Sequence, residues 1–346
     1  MKRILVMYRE LAGYFVECLN HLCDQYDVEA HVIAYPVNTD APFQFRFSER
    51  VKIDQREDHT RESLMKMVVH GEFDLIFSGG WSDTDYLAAI KNRRCKALLG
   101  FDNQWNGSLR HVLSALYGRY RIKPLFEYAF VPGSLQKQFA LHLGFANTTI
   151  ITGAYACDVQ KFSQLQTIRN GRVPRTHKKL MYTGRYAEEK FIGTLWDVIS
   201  EMTDTELNQW TLHCAGTGPM WKDRLQNERI VHHGFLQPDE LFEIMKDGDA
   251  FILPSTFEPW GVVVHEFASA GYPLLVSSAV GSSESFLQDG ENGYLLKPGD
   301  KANLRENLLK LFSSNEDMLK KMGYRSAELS HTITPDTWAQ SLYSIM

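Results

Sequence analysis

The sequence contains little cysteine and no long apolar run. Its five cysteines are scattered, odd in number and not closely paired, so neither a disulfide framework nor a cysteine zinc site is indicated: Cys18, Cys23, Cys95, Cys157 and Cys214. No stretch approaches the roughly 18 apolar residues of a membrane span. The apolar run at the start of the chain is too short for a signal peptide. These absences predict a cytoplasmic protein.

The sequence also lacks an excess of one charge. Charged residues make up 23% of the chain and the formal net charge is -5, which argues against a nucleic-acid-binding protein and against an acidic disordered chain. Any contact with a membrane or a polyanion must therefore be local. The segment VMYRELAGYF, at the end of the first apolar run, has no Gly-x-Gly-x-x-Gly, and this disfavours a dinucleotide-dependent oxidoreductase.

What the sequence does contain is an alternation of strand and helix patterns. A length of 346 residues suits two domains of ordinary size. In the first half, short apolar runs separated by helical patterns predict strands at 3–8, 28–35, 74–80, 96–101, 128–133 and 149–154. Strands that alternate with helices in this way are typical of a mostly parallel sheet covered on both faces.

The alternation stops and begins again in the middle of the chain. Residues 164–179 are polar, basic and interrupted by glycine and proline, which predicts a linker. Beyond it, apolar runs predict strands at 179–185, 210–218, 229–235, 250–255, 273–278 and 293–298. We therefore expect an α/β protein with two doubly wound Rossmann-like domains, 1–165 and 166–332, and a C-terminal helix within 333–346 that rejoins the first. Facing sheets of this kind bind ligands in a cleft at the carboxyl ends of their strands.

The stretch STFEPWGVVVHEFASAG, which begins at Ser255, places two glutamates in apolar surroundings. A predicted strand precedes it, so Glu258 is expected in the loop at the carboxyl end of that strand, and a helix follows from about Gly261. The first N–H groups of that helix form an anion site. Glu266 lies one turn further along, where a carboxylate is tolerated if it accepts hydrogen bonds from a diol such as ribose. The alternative is an exposed loop glutamate and a helix glutamate paired with a lysine.

This stretch and its continuation resemble the donor-binding segment of the retaining glycosyltransferases of the GT4 family, the glycosyl transferases group 1, which have the GT-B architecture. The resemblance depends on the Glu-x7-Glu spacing, the Pro-Trp-Gly turn and the later DGENGYL. It implies that Glu258 lies beside the donor sugar and its reacting carbon, and that Glu266 binds the nucleotide ribose. Further donor contacts are implied for Pro259, Trp260, Gly261 and Val262.

The sequence YTGRYAEEKF resembles a second element of that family. It places Gly184 and Arg185 at the end of a predicted strand and Lys190 at the start of the next helix. In the family the arginine and the lysine hold the donor diphosphate, which implies that Arg185 and Lys190 stabilise the departing nucleoside diphosphate. Taken alone, the same element fits two surface bases near the linker equally well.

Two weaker elements follow the next strands. CAGTGPM resembles the Gly-x-Gly-Pro loop of the family, which implies donor contacts for Gly216 and Gly218, although a structural turn is the commoner use of such glycines. VHHGFL resembles the segment that lies against the nucleotide base, which implies contacts from Phe235 and Leu236. His232 and His233 are adjacent on a strand, so we expect one exposed and one packed, and no metal site. The family uses no bound metal, and no other cofactor is expected.

The amino-terminal half resembles the family mainly in topology. Where family members have a glycine pair after the first strand, this chain has RELAGYF, so Gly13 alone is a candidate donor contact. After a middle strand, Asp102, Asn103 and Trp105 either grip a sugar or acceptor, or serve as a helix cap and a core residue. The stretch GGWSD at 79–83 has the same alternatives. The basic and aromatic residues within 110–123 predict a solvated helix end, with a membrane-surface patch or an anionic acceptor site as alternatives.

The resemblance implies a retaining hexosyltransferase that moves a sugar from a nucleoside diphosphate sugar to the hydroxyl of a saccharide or lipid-linked acceptor. Its expected setting is the synthesis of surface polysaccharide or a glycoconjugate, in the cytoplasm and with peripheral membrane contact as an open alternative. No nucleic acid partner is expected. Two other functions stay open: a non-catalytic sugar-nucleotide-binding protein, and another GT-B enzyme such as a sugar-nucleotide epimerase.

Overall fold

The computed structural model describes residues 1–37, 42–173 and 175–346. Their contacts divide the chain into two compact units, which we call the first domain, Met1–Cys157 with Ile333–Met346, and the second domain, Asp158–Thr332. The C-terminal segment is thus part of the first domain. The boundary expected between 165 and 166 lies eight residues beyond the division between Cys157 and Asp158.

The first domain is built on a parallel sheet. Its strands are β1 Lys2–Tyr8, β2 Val28–Ala34, β3 Val51–Gln55, β4 Leu75–Gly79, β5 Lys96–Gly100, β6 Tyr128–Val131 and β7 Ile150–Thr152. The helices between them are α1 Gly13–Tyr26, α2 Arg61–His70, α3 Thr84–Ile90, α4 Leu109–Arg121 and α5 Ser134–His142. The strand order is β3-β2-β1-β4-β5-β6-β7. It reverses between β1 and β4, so the sheet is doubly wound.

The second domain repeats this plan. Its helices are α6 Val159–Asn170, α7 Ile192–Glu201, α8 Asp204–Leu207, α9 Pro238–Met245, α10 Val262–Ser269, α11 Ser283–Phe286, α12 Lys301–Phe312 and α13 Glu316–Ser330. Its strands are β8 Lys178–Thr183, β9 Trp210–Ala215, β10 Ile230–Gly234, β11 Ala250–Leu253, β12 Leu274–Ser277 and β13 Gly293–Leu296, in the order β10-β9-β8-β11-β12-β13. The predicted pair of doubly wound Rossmann-like domains is confirmed.

Strand β1 shows why continuous apolar runs form these sheets. Residues 4–7 of this strand are completely buried, because helices cover both faces of a parallel sheet. Leu5 and Met7 belong to one core cluster, whereas Ile4 and Val6 belong to the other. Since side chains alternate along a strand, the sheet separates two apolar cores.

The C-terminal helix α14, Pro335–Ile345, completes the core of the first domain. Trp338 is buried between Phe15 and Phe130, with ring centroids 5.7 and 5.8 Å away. Its indole N–H donates to the carbonyl of Ala154 at 3.0 Å. The helix therefore adds an indole to the aromatic cluster that Phe15 and Phe130 form on this face.

The linker predicted at 164–179 is wrong for its first part, since residues 164–170 lie in α6. The polar composition has a structural cause. Arg169 stacks on Tyr272 at 3.6 Å and donates to the carbonyls of Ala270 and Gly271 at 2.7 Å, just after α10. A guanidinium that satisfies several buried carbonyls makes a packed helix look like a solvated segment.

Candidate active site

Two neighbouring strands of the second sheet, β8 and β11, lie where the strand order reverses. The segment after β8 carries Arg185, and the segment after β11 carries Glu258. Parallel strands leave a crevice at their carboxyl ends at such a reversal, which is the usual ligand position in doubly wound sheets. The structure therefore brings two separate sequence elements to one edge of one sheet.

Lys190 and Glu258 form an ion pair at this edge. Lys190 ends the 3-10 turn Glu188–Lys190, and its Nζ donates to Oε2 of Glu258. The two side chains are only 14% and 17% exposed. Because burying two charges is costly, such a pair requires backbone that holds both partners in place.

That backbone support comes from the carbonyl of Glu189. It accepts hydrogen bonds from the N–H of Thr256 at 2.8 Å and from its hydroxyl at 3.1 Å. On the other side, the N–H of Glu258 donates to the carbonyl of Ala279 at 3.2 Å. Sequence patterns assign no role to Glu189 or Thr256, because a main-chain acceptor leaves no signature in residue type.

Arg185 lies one residue beyond Gly184 and is 63% exposed. Its Nη2 donates to Oε1 of Glu189 at 2.5 Å. Hydrogen bonds from the Glu189 main chain and from Arg185 lower the pKa of the Glu189 carboxyl. An exposed ion pair of this kind is easily exchanged for another anion, so the guanidinium can turn to a ligand phosphate.

The glycines after β8 and β9 allow two loops to touch. A Cβ on Gly216, whose φ is +134°, would lie 2.0 Å from the carbonyl oxygen of Gly184. On Gly218 it would lie 2.6 Å from the carbonyl oxygen of Tyr186 and 2.8 Å from Cγ of Arg185. Both glycines are therefore required for the packing of the Gly184–Arg185 segment, whether or not they also contact a ligand.

Gly261 is the N-cap of α10 and has a φ of +83°. A Cβ there would lie 3.1 Å from Cγ of Glu258 and 3.0 Å from Cγ1 of Val280. By helix geometry the first N–H groups of α10 have no acceptor within the helix. The positive end of α10 therefore begins beside the Lys190–Glu258 pair, as an anion site requires.

Glu266 lies within α10, and burial raises the pKa of its carboxyl to about 7. In the part of the chain that the structure describes, no hydrogen bond or ion pair to this carboxyl is present. The charge of Lys161 lowers this pKa by less than burial raises it, and the Nζ of Lys161 is itself bound to Asp239 at 2.8 Å. The predicted alternative of a glutamate paired with a lysine does not occur at this position.

The remaining predicted donor contacts differ in exposure. Trp260 is 2% exposed and packs against Phe286, so its indole belongs to the core, and its main chain is fixed by Ser282. Pro259 and Val262 flank this turn and are partly exposed. Phe235 and Leu236 follow β10 and are also partly exposed. These four positions leave surface for a ligand at the same edge of the sheet.

The prediction that either His232 or His233 is exposed is wrong, because both are partly buried. His232 contacts the hydroxyl of Tyr186 at 3.0 Å, and His233 contacts His213 at 3.1 Å. Both faces of β10 are thus covered near its end. Burial lowers the pKa of His232 and His233, and that of His213 to about 4. Within the described ranges, no three His, Cys, Asp or Glu side chains are grouped to hold a metal ion.

The first domain has a cavity of about 390 Å³ at its own strand-order reversal. Tyr8 at the end of β1 and Gly79 at the end of β4 line it, as do Asp102 and Asn103 after β5. A Cβ on Gly79 would lie 2.5 Å from the ring of Tyr8, so the glycine lets this ring lie across the strand end. Asp102 and Asn103 therefore lie in this cavity, and their contact with a sugar or an acceptor stays a prediction.

Three tyrosines line this cavity, and no sequence motif predicts their position. Tyr8, Tyr14 and Tyr155 all line it, and the rings of Tyr14 and Tyr155 are 4.8 Å apart. Burial raises the pKa of all three phenols well above the ordinary value. They remain neutral at physiological pH and can donate to, or accept from, ligand hydroxyls.

Three further candidates of the first domain lie outside this lining: Trp105, Gly13 and the Trp-Ser-Asp part of GGWSD, whose two glycines do line the cavity. Trp105 stacks on His142 at 3.8 Å and packs near Phe139, which is the structural alternative. In GGWSD, likewise, Trp81 packs on Phe101, and Asp83 caps α3. Gly13 begins α1, and a Cβ there would meet no atom within 4 Å. Neither a close approach nor a positive φ requires glycine at that position.

Residues 177–314 match the family model described as Glycosyl transferases group 1. The matched stretch lies within the second domain. The expected resemblance to the glycosyl transferases group 1 is confirmed for these residues. The match contains every predicted site residue from Gly184 to Glu266 and none of the first domain.

A glycogen synthase of Mycobacterium tuberculosis is 32% identical over 160 residues, which are 41% of this chain and 38% of that protein. This chain thus matches less than half the length of that relative. Solved structures match nearly the whole chain. The Anabaena protein Alr3699/HepE in complex with UDP and glucose has a TM-score of 0.75, 15% identity and 99% coverage of both chains.

A second solved structure, the lipopolysaccharide outer core galactosyltransferase WaaB in its apo form, has a TM-score of 0.72 with 14% identity over 99% of this chain and 98% of that one. At such low identity these similarities concern the fold, and the expected GT-B fold is confirmed. No helix in the described ranges is both long enough and apolar enough to cross a membrane.

Proposed function

We propose that the protein transfers a sugar from a nucleoside diphosphate sugar to an acceptor hydroxyl. The observation that carries this proposal is the partly buried Lys190–Glu258 pair beside the N-terminus of α10. A lysine, a helix N-terminus and a nearby exposed arginine provide three sources of positive potential at one strand edge. A diphosphate leaving group requires such stabilisation as its charge develops.

In this proposal Arg185 exchanges Glu189 for the donor diphosphate, and Lys190 bridges the phosphate and Glu258. Arginine can bind two phosphate oxygens at once, whereas lysine acts as a point charge. The Glu258 carboxylate is already paired with Lys190, and this pairing favours a role in positioning the sugar over a role as nucleophile. The proposal therefore includes no protein nucleophile. The anomeric configuration would be retained because the acceptor hydroxyl attacks the sugar on the face from which the leaving group departs.

Glu266 would accept hydrogen bonds from the ribose diol. Its carboxyl is desolvated and has no hydrogen bond among the described residues, so two donors from a ligand would compensate a cost that the fold leaves uncompensated. The Asp102 and tyrosine cavity of the first domain is the candidate acceptor site. Because Alr3699/HepE is seen with UDP and glucose, UDP-glucose is the first donor to test.

The proposal includes no metal cofactor. The family that the sequence resembles uses none, and the basic residues supply the positive charge. The setting that we infer is surface polysaccharide or glycoconjugate synthesis, in keeping with the outer-core galactosyltransferase among the structural neighbours. The acceptor would then be a saccharide or a lipid-linked sugar.

The first experiment is a panel of nucleoside diphosphate sugars, including UDP-glucose, screened for thermal stabilisation and then for donor hydrolysis without acceptor. A ligand at 100 times its Kd stabilises by about 2.7 kcal/mol, which is a rise in Tm of roughly 5–10 °C for a domain of this size. Binding without hydrolysis or transfer would support the non-catalytic alternative. No binding of any donor would contradict the proposal. Activity should persist in EDTA, and the product should show the donor's anomeric configuration by NMR.

Arg185→Glu tests the leaving-group role. Reversing this charge should lower kcat/KM by roughly 100-fold or more, because a charge-assisted contact becomes a repulsion. Arg94→Glu is the matched control, since Arg94 is an exposed arginine of the first domain and forms no ion pair among the described residues. Normal turnover of the Arg185 variant would refute the assignment.

A further inference from the structure

Helix α4 exposes a continuous apolar stripe on the first domain. Six large side chains are between 45% and 74% exposed: Leu109, Val112, Leu113, Leu116, Tyr117 and Tyr120. They follow the spacing i, i+3, i+4, i+7, i+8 and i+11, and thus cover an arc of roughly 140° on one side of the helix. Single exposed apolar residues are ordinary, but a whole helix face of them indicates a partner.

The opposite side of α4 already serves the fold. Ala115 and Gly118 are buried there, and a Cβ on Gly118 would lie 2.4 Å from Cδ2 of Leu143. The helix therefore packs closely on its neighbours through its smallest residues. The large apolar residues on the outer side have no part in this packing, so they are free to contact another surface.

Basic residues flank the stripe. Arg110, Arg119 and Arg121 lie at its edges by helical position, and Lys123 follows in the next turn. The sequence has no acidic residue between Asp102 and Glu127. Glu127 itself is bound to Arg93 at 2.5 Å. Among the described residues these four bases form no ion pair, so their charge is uncompensated.

We propose that α4 docks on the surface of an anionic lipid bilayer. An apolar face bordered by arginine and lysine is the arrangement by which a helix lies in the bilayer interface, with its apolar side chains among the acyl chains and its bases at the lipid phosphates. A second copy of this chain fits less well. A symmetric contact through this face would bring two sets of uncompensated cations together.

The position of α4 connects this surface with the first domain's cavity. Strand β5 ends at Gly100, the residues that follow it line the cavity, and α4 begins at Leu109. The N-terminal end of α4 therefore lies at the sheet edge where the cavity is. Docking through this helix would bring the cavity close to acceptors that are anchored in the membrane.

The test is co-sedimentation of the full chain with vesicles. The chain is expected to bind vesicles of equal parts phosphatidylglycerol and phosphatidylcholine. It should bind vesicles of phosphatidylcholine alone much more weakly. Because the Debye length falls to about 3 Å at 1 M salt, high salt should release much of the bound protein. Failure to bind the anionic vesicles, or equal binding to both kinds, would overturn the proposal.

Two paired sets of variants identify the surface. Arg119→Gln with Arg121→Gln should weaken binding by roughly 20–30-fold, and Leu116→Ser with Tyr120→Ser by at least about tenfold. The controls lie on α13 of the second domain: Lys320→Gln with Lys321→Gln, and Met318→Ser with Tyr324→Ser, which are also exposed. These controls should stay within about twofold of the unmodified chain.

If the α13 variants weaken binding as much as the α4 variants, the docking surface is not α4. A self-associating chain whose dimer is broken by Leu116→Ser with Tyr120→Ser, and which does not bind vesicles, would also overturn the proposal in favour of a second copy. Stabilisation by a nucleoside diphosphate sugar, measured on the same variants, is expected to be unchanged. Membrane docking and sugar transfer can therefore fail independently.

Discussion

Glu266→Gln is expected to make the free protein more stable while it weakens the binding of nucleotide. Burial raises the pKa of the Glu266 carboxyl from 4.5 to about 7. The folded state therefore binds a proton more tightly than the unfolded state does. Stability from this group is fully present below pH 4.5 and is lost as the pH rises through about 7.

The magnitude follows from the difference between the two pKa values, at 1.36 kcal/mol for each pH unit. It amounts to about 3 kcal/mol of unfolding free energy that the carboxylate costs at pH 8 and does not cost at pH 4.5. Glutamine has a similar shape and no charge, so the variant does not lose this amount. Chemical denaturation of both proteins at pH 5 and pH 8 gives the comparison.

Other groups titrate in the same interval, but they are common to both proteins. Burial lowers the pKa of His213 and of His265 to about 4, so each makes stability rise with pH between about 4 and 6.5. Their contribution cancels when the pH dependence of the variant is subtracted from that of the unmodified chain. An identical pH dependence in the two proteins would refute the claim that Glu266 is a desolvated carboxylate.

Binding provides the second half of the test. If the ribose diol donates to the Glu266 carboxylate, affinity for a nucleoside diphosphate sugar should fall as the pH drops below about 7, where the free carboxyl gains its proton. Such a donor has no phosphate monoester, so its own charge is constant in this range. The Gln variant should bind more weakly and without this pH dependence in titration calorimetry. Equal affinity of the two proteins at pH 8 would contradict the ribose role.

Two further predictions concern glycine and tryptophan. Gly216→Ala should lower the Tm of the second domain and reduce binding of the donor, because the new Cβ meets the Gly184 carbonyl at 2.0 Å. Gly171→Ala is the control, since a Cβ there would have contacts of 3.6 Å or more and the φ of Gly171 is -82°. An unchanged Tm and donor affinity in the Gly216 variant would contradict the packing argument. Trp338→Ala should destabilise the first domain by about 3–5 kcal/mol in a denaturation experiment, while donor binding to the second domain persists. A loss below 1 kcal/mol would contradict the claim that Trp338 completes this core.

The fold could be predicted well where burial determines residue type. Each strand expected from an apolar run overlaps an observed strand, because a strand covered on both faces has to be apolar throughout. Strand β3 has no such run. It is an edge strand next to β2, and Lys52, Ile53 and Gln55 are exposed. The second half of helix α6 is predicted as a linker because its residues are polar. In the structure, however, the polar Arg169 is packed against the rest of the domain.

The two domains differ in how much of the candidate site the sequence reveals. Lys190 and Glu258 each lie in a contiguous motif, and the strand order then brings these motifs together. Tyr8, Tyr14 and Tyr155 lie on separate elements, and only the folded sheet brings them to one cavity. The sequence also does not show that the apolar stripe on α4 is exposed. The larger apolar side chains lie on one side of the helix, but the helix packs through the other side, with Ala115 and Gly118.

Polar groups that hold the fold can be distinguished from those that await a ligand by whether the protein itself satisfies them. Arg56 is bound to Asp83 at 2.7 Å and to Asp85 at 2.8 Å, so this cluster is complete without a ligand. Burial raises the pKa of the Glu266 carboxyl, yet within the described ranges this carboxyl gains no hydrogen bond. A fold under selection for stability alone would replace such a carboxylate with an apolar side chain. Its presence near the positive end of α10 supports the proposal of a ligand that brings hydroxyl donors and negative charge together, as a sugar nucleotide does.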